Sequence, residues 1–202
     1  QLLCINGAGI MYAYIRKLIA SENDSYFNME NMAEKISVGS DGLRILPFGN
    51  GAERMLQNKM TGAQINNLQF NVHTKDHFYR AALEGVAYSF VYGIRILEET
   101  GLSTTSGLNS KILKAGNDNL FQSTIFSKTI ANLIGCEIQI LETSGSIGAA
   151  KASSFGLNAF NSLEEAFSTT HLIKSYVPDQ SNDRYERAYT QWIDELNQIL
   201  KN

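Results

Sequence analysis

The segment Leu113-Lys114-Ala115-Gly116-Asn117-Asp118-Asn119 predicts a short strand, over residues 111–115, that ends in a small polar turn directly before a helix at residues 119–134. The same order follows at once, with a strand at residues 136–141, a Gly/Ser turn and a helix at residues 146–155. Strands that alternate with helices are typical of α/β layer architectures. The sequence therefore predicts the α/β fold class.

Toward the N-terminus, the pattern predicts two helices and a strand. Apolar residues at helical spacing predict an amphipathic helix at residues 9–20. Its predicted buried side consists of Ile10, Tyr14, Ile15, Leu18 and Ile19. Asn28 is the predicted cap of a short second helix that ends near Gly39, and residues 43–48 predict a strand.

The middle of the chain predicts a loop and then a long helix. Residues 57–72 predict a loop with short extended pieces. The long helix is predicted at residues 75–100, with Thr74 or Asp76 as its cap and Gly101 as its stop. A Ser/Thr/Gly-rich surface loop is predicted at residues 103–110.

The C-terminal part predicts two more helices around an extended segment. Residues 162–165 have the capping-box pattern that opens a short helix, and residues 171–178 predict an extended segment. Ser181 or Asn182 is the predicted cap of a final helix that runs to Leu200.

Composition excludes several classes of protein. The net charge of −3 over 202 residues is spread without long charged runs, which excludes the basic footprint of a nucleic-acid binder. No apolar stretch approaches the roughly 20 residues of a membrane span. Cys4 and Cys136 are predicted to be two buried, reduced thiols, which favours a cytoplasmic location. The chain begins at Gln1 without an initiator Met, so we expect further sequence before it.

No metal site is predicted. His73 and His77 stand four positions apart, as in a zinc-binding helix, but Thr74 occupies the position where that motif has Glu. The two histidines are therefore interpreted as helix-start or surface residues.

The turn at residues 116–119 is the predicted ligand site. Gly116 allows close approach of a backbone, the Asn and Asp side chains offer hydrogen bonds, and the N-terminus of the following helix favours anions. An ordinary capped βα turn is the alternative. A second turn at residues 142–150 predicts either ligand contact or close helix packing. Neither turn has the P-loop or GxGxxG pattern.

Glu53 and Arg54 stand in a glycine-bearing loop at residues 49–54. The pair could orient a polar ligand, but an ion pair that closes the loop is the favoured interpretation.

Four motifs in order resemble the FGGY carbohydrate kinase family. ILPFGNGAER at residues 45–54 and YRAALEGVAY at residues 79–88 are similar to the family's LPxxxGER and RAxLEGVAY signatures. KAGNDN at residues 114–119 resembles its glycine-rich adenine turn, and GSIGAAKA at residues 145–152 resembles its GAxGAAxxA helix. LEEA at residues 163–166 and YVPD at residues 176–179 resemble the tails of xylulokinases.

This resemblance implies a ribonuclease-H-like, actin-type fold of two domains. Residues 1–202 would form the C-terminal, nucleotide-side domain, and the N-terminal sugar-binding domain, absent from this chain, would be its partner. The family uses ATP and Mg²⁺, and Gly116, Asn117, Asp118 and Asn119 would lie near the adenine or ribose. Many relatives have consecutive glycines where this chain has Asn-Asp-Asn.

The resemblance also implies an activity. The whole protein would phosphorylate a ketopentose, converting xylulose and ATP to xylulose 5-phosphate and ADP. No catalytic residue is expected in this chain, because the family's general base is an Asp of the N-terminal domain. The alternatives are a kinase for gluconate, ribulose or glycerol, or a non-catalytic nucleotide-binding module. A homodimer is among the expected assemblies.

Overall fold

The structure, a computed structural model, describes residues 4–100, 112–168 and 170–201. Its helices are α1 (Ala8–Ile19), α2 (Tyr26–Ala33), α3 (Lys75–Glu99), α4 (Thr124–Ile134), α5 (Gly145–Gly156), α6 (Leu163–Phe167) and α7 (Asp183–Lys201). Its strands are β1 (Arg44–Leu46), β2 (Gln64–Asn66), β3 (Leu113–Gly116), β4 (Ile138–Leu141) and β5 (Leu172–Tyr176). The predicted stop at Gly101, the predicted loop at residues 103–110 and Lys111 lie outside the described residues.

The strands form two small sheets. β1 and β2 pair antiparallel, and the predicted loop at residues 57–72 contains β2 as one of its extended pieces. In the second sheet the order is β3-β4-β5, with β3 parallel to β4 and β5 antiparallel to β4. The parallel pair places the ends of β3 and β4 side by side, since Gly116 is in register with Leu141. The α/β prediction is confirmed.

The long helix α3 is the centre of the core. Ala82, Leu83 and Val86 have no solvent exposure, and α3 contacts α1, α2, α4, α7 and β1. A Cβ atom on Gly85 would overlap the carbonyl oxygen of Ile45, so glycine is required for β1 to lie this close to the helix. Thr74 caps the helix in a capping box with His77, as predicted for Thr74.

The predicted buried side of α1 is wrong in three of its five residues. Ile10, Tyr14 and Leu18 are 57%, 58% and 58% exposed, whereas Met11, Tyr12 and Ile15 are buried. The helix is apolar on more than one side, so periodicity alone does not distinguish which side packs against α3. The predicted helix at residues 9–20 is itself confirmed.

Two predicted helix starts are also wrong. Ser25, not Asn28, caps α2, because its hydroxyl accepts the backbone N–H of Asn28. The helix predicted from residue 119 begins at Thr124, where Ser123 caps α4. A 3₁₀ turn, Asn119–Gln122, comes before it. The predicted cap at Ser162 and the final helix after Asn182 are confirmed.

Asp24 ties the α1–α2 connection to α3. Its carboxylate is buried and accepts hydrogen bonds from Lys75 Nζ at 2.9 Å, Tyr79 Oη at 2.9 Å and Ser21 N at 3.0 Å. The Lys75 ammonium, followed by the Ser21 amide and the Tyr79 hydroxyl, holds the pKa of Asp24 well below its usual range.

Replacing Asp24 with asparagine is expected to remove a pH-dependent part of the stability. Because the folded pKa is depressed, the stabilisation is fully present above the unfolded pKa of about 3.8 and is lost progressively as the pH falls from there through the folded pKa. Urea unfolding of D24N should therefore show a deficit against the parent protein at pH 7 that shrinks at pH 3. Asp194→Asn, at an exposed site on α7, is the control. An equal deficit at both pH values would contradict the linkage.

Candidate functional site

The main cavity lies where the two predicted turns meet the start of α1. It has a volume of about 580 Å³, and the polar and glycine part of its lining includes Gly9, Gly116, Asp118, Asn119 and Ser144. Three of the four predicted site residues therefore line one cavity. Asn117 does not line it; its backbone N–H donates to the Leu141 carbonyl, and its exposed side chain lies outside the cavity.

Close packing of the two turns explains the requirement for glycine at residue 116. A Cβ atom on Gly116 would lie 2.8 Å from the carbonyl oxygen of Thr143, closer than real Cβ atoms approach. The chain then bends through Asn119, whose φ of 52° is in the left-handed region, and Asp118 accepts the Asn119 N–H at 2.8 Å. The turn is thus fixed by its own side chains.

The structure corrects the expected source of anion binding at this turn. Because α4 begins at Thr124, the amides that follow Gly116 belong to a 3₁₀ turn and not to an α-helix N-terminus. Two α-helix N-termini lie at the cavity instead: that of α1, through Ala8 and Gly9, and that of α5, through Gly145 and its cap Ser144.

The second predicted turn does not serve close helix packing among the described residues. No residue of α5 is buried, and Cβ atoms on Gly145 and Gly148 would meet nothing within 4 Å. Both glycines line the main cavity instead. Their small size leaves room at the cavity wall.

Glu53 positions the N-terminus of α1, a role that the sequence analysis did not identify. Its carboxylate has no solvent exposure and accepts the backbone N–H groups of Asn6 and Gly7, each at 3.1 Å. Arg54 is exposed and forms no ion pair with Glu53 in the described structure, so the favoured prediction for this pair is wrong. A buried carboxylate is stabilised by backbone donors that need no second charge.

Aromatic side chains form the floor of the main cavity. Phe90, Phe121 and Phe126 meet edge to face, with ring centroids 5.2–6.2 Å apart. Phe167 of α6 adds a further wall. An apolar floor with a rim of backbone and small polar groups is typical of a cavity that takes an organic ligand.

A second cavity of about 460 Å³ adjoins the first. The two share Gly9, Asn119 and Leu120, and we call them together the cleft. The second cavity is also lined by Tyr12, Tyr26, Phe27, Glu30, Gln122 and Ser123. We call the first cavity the glycine-rich end, because glycines line its rim above the phenylalanine floor, and the second the aromatic end, because the exposed rings of Tyr26 and Phe27 line it.

Glu30 is the acidic residue of the aromatic end. Its Oε1 accepts the N–H of Ile125 at 2.9 Å, at the start of α4. Burial raises the pKa of Glu30, against the lowering effect of the Ile125 amide.

The two histidines are structural. His73 and His77 are both buried: His73 Nδ1 accepts the Gln69 N–H at 2.9 Å, and His77 lies 3.1 Å from the Asp41 carboxylate. The helix-start interpretation is confirmed for His77, and the surface interpretation is wrong for both. The described part of the chain contains no cluster of three or more metal-ligating side chains. None of its described helices has the length and apolarity to cross a membrane.

No protein-family model matches the chain. It is 27% identical over 195 residues to a xylulose kinase of Haemophilus influenzae, covering 90% of this chain and 38% of that protein. It is 26% identical over 178 residues to an L-fuculokinase of Escherichia coli, covering 85% of this chain and 34% of that protein. The chain thus spans little more than a third of the length of these curated relatives, which are sugar kinases of the FGGY family.

Solved structures share the fold. A xylulose kinase from Rhodospirillum rubrum matches with a TM-score of 0.74 at 20% identity, over 96% of this chain and 39% of that one. A glycerol kinase from Plasmodium falciparum, solved with ADP, matches with a TM-score of 0.72 at 17% identity, over 98% of this chain and 38% of that one. The predicted ribonuclease-H-like, actin-type fold class is confirmed.

Proposed function

We propose that residues 1–202 form the C-terminal, nucleotide-side domain of an ATP-dependent sugar kinase that phosphorylates a ketopentose such as xylulose. The observation that carries the proposal is the cleft. The turn that follows Gly116 lines it through Asn119, and the N-terminus of α1 lines it through Gly9. The kinase relatives and the ADP-bound glycerol kinase of the same fold support a nucleotide as the ligand.

The chemistry of the lining orients a nucleotide in the cleft. We place the ribose at Asp118 and Asn119, whose side chains offer hydrogen-bond acceptors and donors to hydroxyl groups. The base then extends into the aromatic end, where rings offer stacking surfaces. The phosphates then lie along the glycine rim of the first cavity, near the N-terminus of α5, and not on its phenylalanine floor or beside the Glu30 carboxylate.

The phosphoryl transfer itself needs groups from outside this chain. Asp118 is the carboxylate on the lining of the first cavity, and one of its oxygens already accepts the Asn119 N–H. Mg²⁺ usually binds through one or two carboxylates together with substrate phosphates and water, so Asp118 fits a supporting ligand at most. We assign the general base and the sugar pocket to the N-terminal domain, and closure of the two domains would exclude water from the γ-phosphoryl group.

The compartment proposed for the protein is the cytoplasm. Cys136 is buried as predicted, whereas the predicted burial of Cys4 is wrong because its side chain is exposed; neither forms a disulfide in the described structure. Free thiols are the rule where glutathione and thioredoxin keep cysteines reduced.

The direct test is isothermal titration of ATP and of ADP, each with Mg²⁺, into the protein and two glycine variants. Gly9 lines both cavities, and a Cβ atom there would meet nothing within 4 Å, so Gly9→Trp fills the cleft without forcing the backbone. We expect G9W to weaken nucleotide binding at least about tenfold, a change of roughly 1.4 kcal/mol. Gly116→Trp is a poorer choice because the new side chain would meet the Thr143 carbonyl.

Gly156→Trp is the matched control. Gly156 also stands on a helix with open space around its Cβ position, but it lies outside both cavities. The G156W variant should bind ATP with the same affinity as the parent protein. Absence of ATP and ADP binding by the parent protein, or equal binding by G9W and the parent, would overturn the proposed function.

A further inference from the structure

The aromatic end of the cleft presents two exposed aromatic rings. Tyr26 and Phe27 are 49% and 73% exposed, although both line the second cavity. Tyr26 is held in place by Tyr12, which stacks with its centroid 5.6 Å away, and by the Arg16 guanidinium, 4.9 Å from the Tyr26 ring centroid. Arg16 is itself fixed by the Asp24 carbonyl at 3.2 Å. Exposed rings in a fixed arrangement offer a flat surface to a planar ligand.

We propose that Glu30 selects the base of the nucleotide by accepting a hydrogen bond from the exocyclic amino group of adenine, while Tyr26 and Phe27 stack against the ring. This inference rests on the proposed function and names the residue that would distinguish ATP from other nucleoside triphosphates.

The bonds that Glu30 already makes determine which base it fits. A carboxylate offers about four acceptor positions. The Ile125 N–H bonds to Oε1 at the start of α4, and we assign the other oxygen, Oε2, to the ligand. One acceptor matches the amino group of adenine. Guanine presents two adjacent N–H donors, which need both oxygens of a carboxylate, and hypoxanthine presents a carbonyl oxygen that a carboxylate repels.

Capping of α4 and selection of the base are compatible roles for one carboxylate. The cap fixes the side chain at the wall of the cavity, and a fixed acceptor discriminates between bases better than a mobile one.

The same contacts suggest a variant that changes only the oxygen assigned to the ligand. In Glu30→Gln the amide oxygen can still accept the Ile125 N–H, while the second position becomes an N–H donor. Because burial disfavours the charged form of Glu30, the neutral amide is not expected to unfold the protein.

The test measures the affinities of Mg-ATP and Mg-ITP, whose bases differ by an amino group and a carbonyl oxygen at the same position. We expect the parent protein to bind ATP at least about tenfold more tightly than ITP. In E30Q this ratio should fall to near one or invert, because the amide N–H repels the amino group and bonds to the carbonyl oxygen. Glu34→Gln, an exposed carboxylate outside the second cavity, should leave the ratio unchanged.

A second variant keeps the inference testable if E30Q does not fold. Phe27→Ala removes an exposed ring, and it should weaken ATP and ITP by about the same factor. Unchanged ATP and ITP affinities in F27A, or an unchanged ATP-to-ITP ratio in a folded E30Q, would overturn the assignment and leave the proposed function standing. Failure of the parent protein to bind any nucleotide would instead overturn both.

Discussion

Replacing Trp192 with alanine is expected to lower the free energy of unfolding by about 3–5 kcal/mol. Trp192 has no solvent exposure, and its indole N–H donates to the Ile45 carbonyl at 2.9 Å. Its ring lies against Phe48, Tyr88 and Tyr189, with centroids 6.0, 5.9 and 6.3 Å away. The variant would leave a large cavity between α7, α3 and β1, and an unpaired carbonyl on β1.

Urea unfolding followed by circular dichroism measures this loss, because the variant has no other tryptophan to report by fluorescence. Trp192→Phe is the graded control, since it keeps most of the apolar volume and removes the donor to Ile45. It should destabilise the protein less than the alanine variant does. A loss below about 1 kcal/mol in W192A would show that the site collapses around the missing ring, contrary to the close-packed core described above.

The sequence predicted the elements whose signals are local. The turn at Gly116 follows a strand in both prediction and structure, and the long helix over residues 75–100 matches α3, because period-two and period-3.6 patterns report backbone type directly. The buried side of α1 was not predictable in this way. Ile10 and Met11 are both apolar, and only the position of α3 determines which of them is covered.

The site was predicted in part for the same reason. Gly116, Asp118 and Asn119 stand within one turn, so one segment predicts their proximity. Glu53 contacts residues 46 and 47 positions away, and Glu30 contacts Ile125, 95 positions away. Such contacts depend on tertiary packing and have no local pattern. The predicted ion pair between Glu53 and Arg54 was wrong, because neighbouring opposite charges are a weak indication of an ion pair when backbone donors compete for the carboxylate.

The Arg and Glu of the motif YRAALEGVAY illustrate how a sequence signature can be structural. Arg80 and Glu84 are 7% and 2% exposed on α3, and their side chains meet at 2.6 Å. Both oxygens of Glu84 also accept the Gly39 N–H at 3.1 Å, and the Ser40 hydroxyl donates to one of them. Neither residue lines the cleft. Glu84 instead fixes the turn before β1, where Gly39 and Ser40 have φ values of 89° and 50°.

Removing the Glu84 carboxylate is therefore expected to destabilise the fold by about 3–5 kcal/mol, because Glu84→Ala leaves a buried guanidinium without its partner. Urea unfolding followed by the fluorescence of the single, buried Trp192 measures the loss. In Arg80→Met/Glu84→Met the unpaired charge is gone, so this double variant should lose less than Glu84→Ala alone, and the residual loss should reflect the unsatisfied Gly39 N–H. Losses in the double variant that equal the sum of the two single methionine variants would show that the two side chains do not act as a pair.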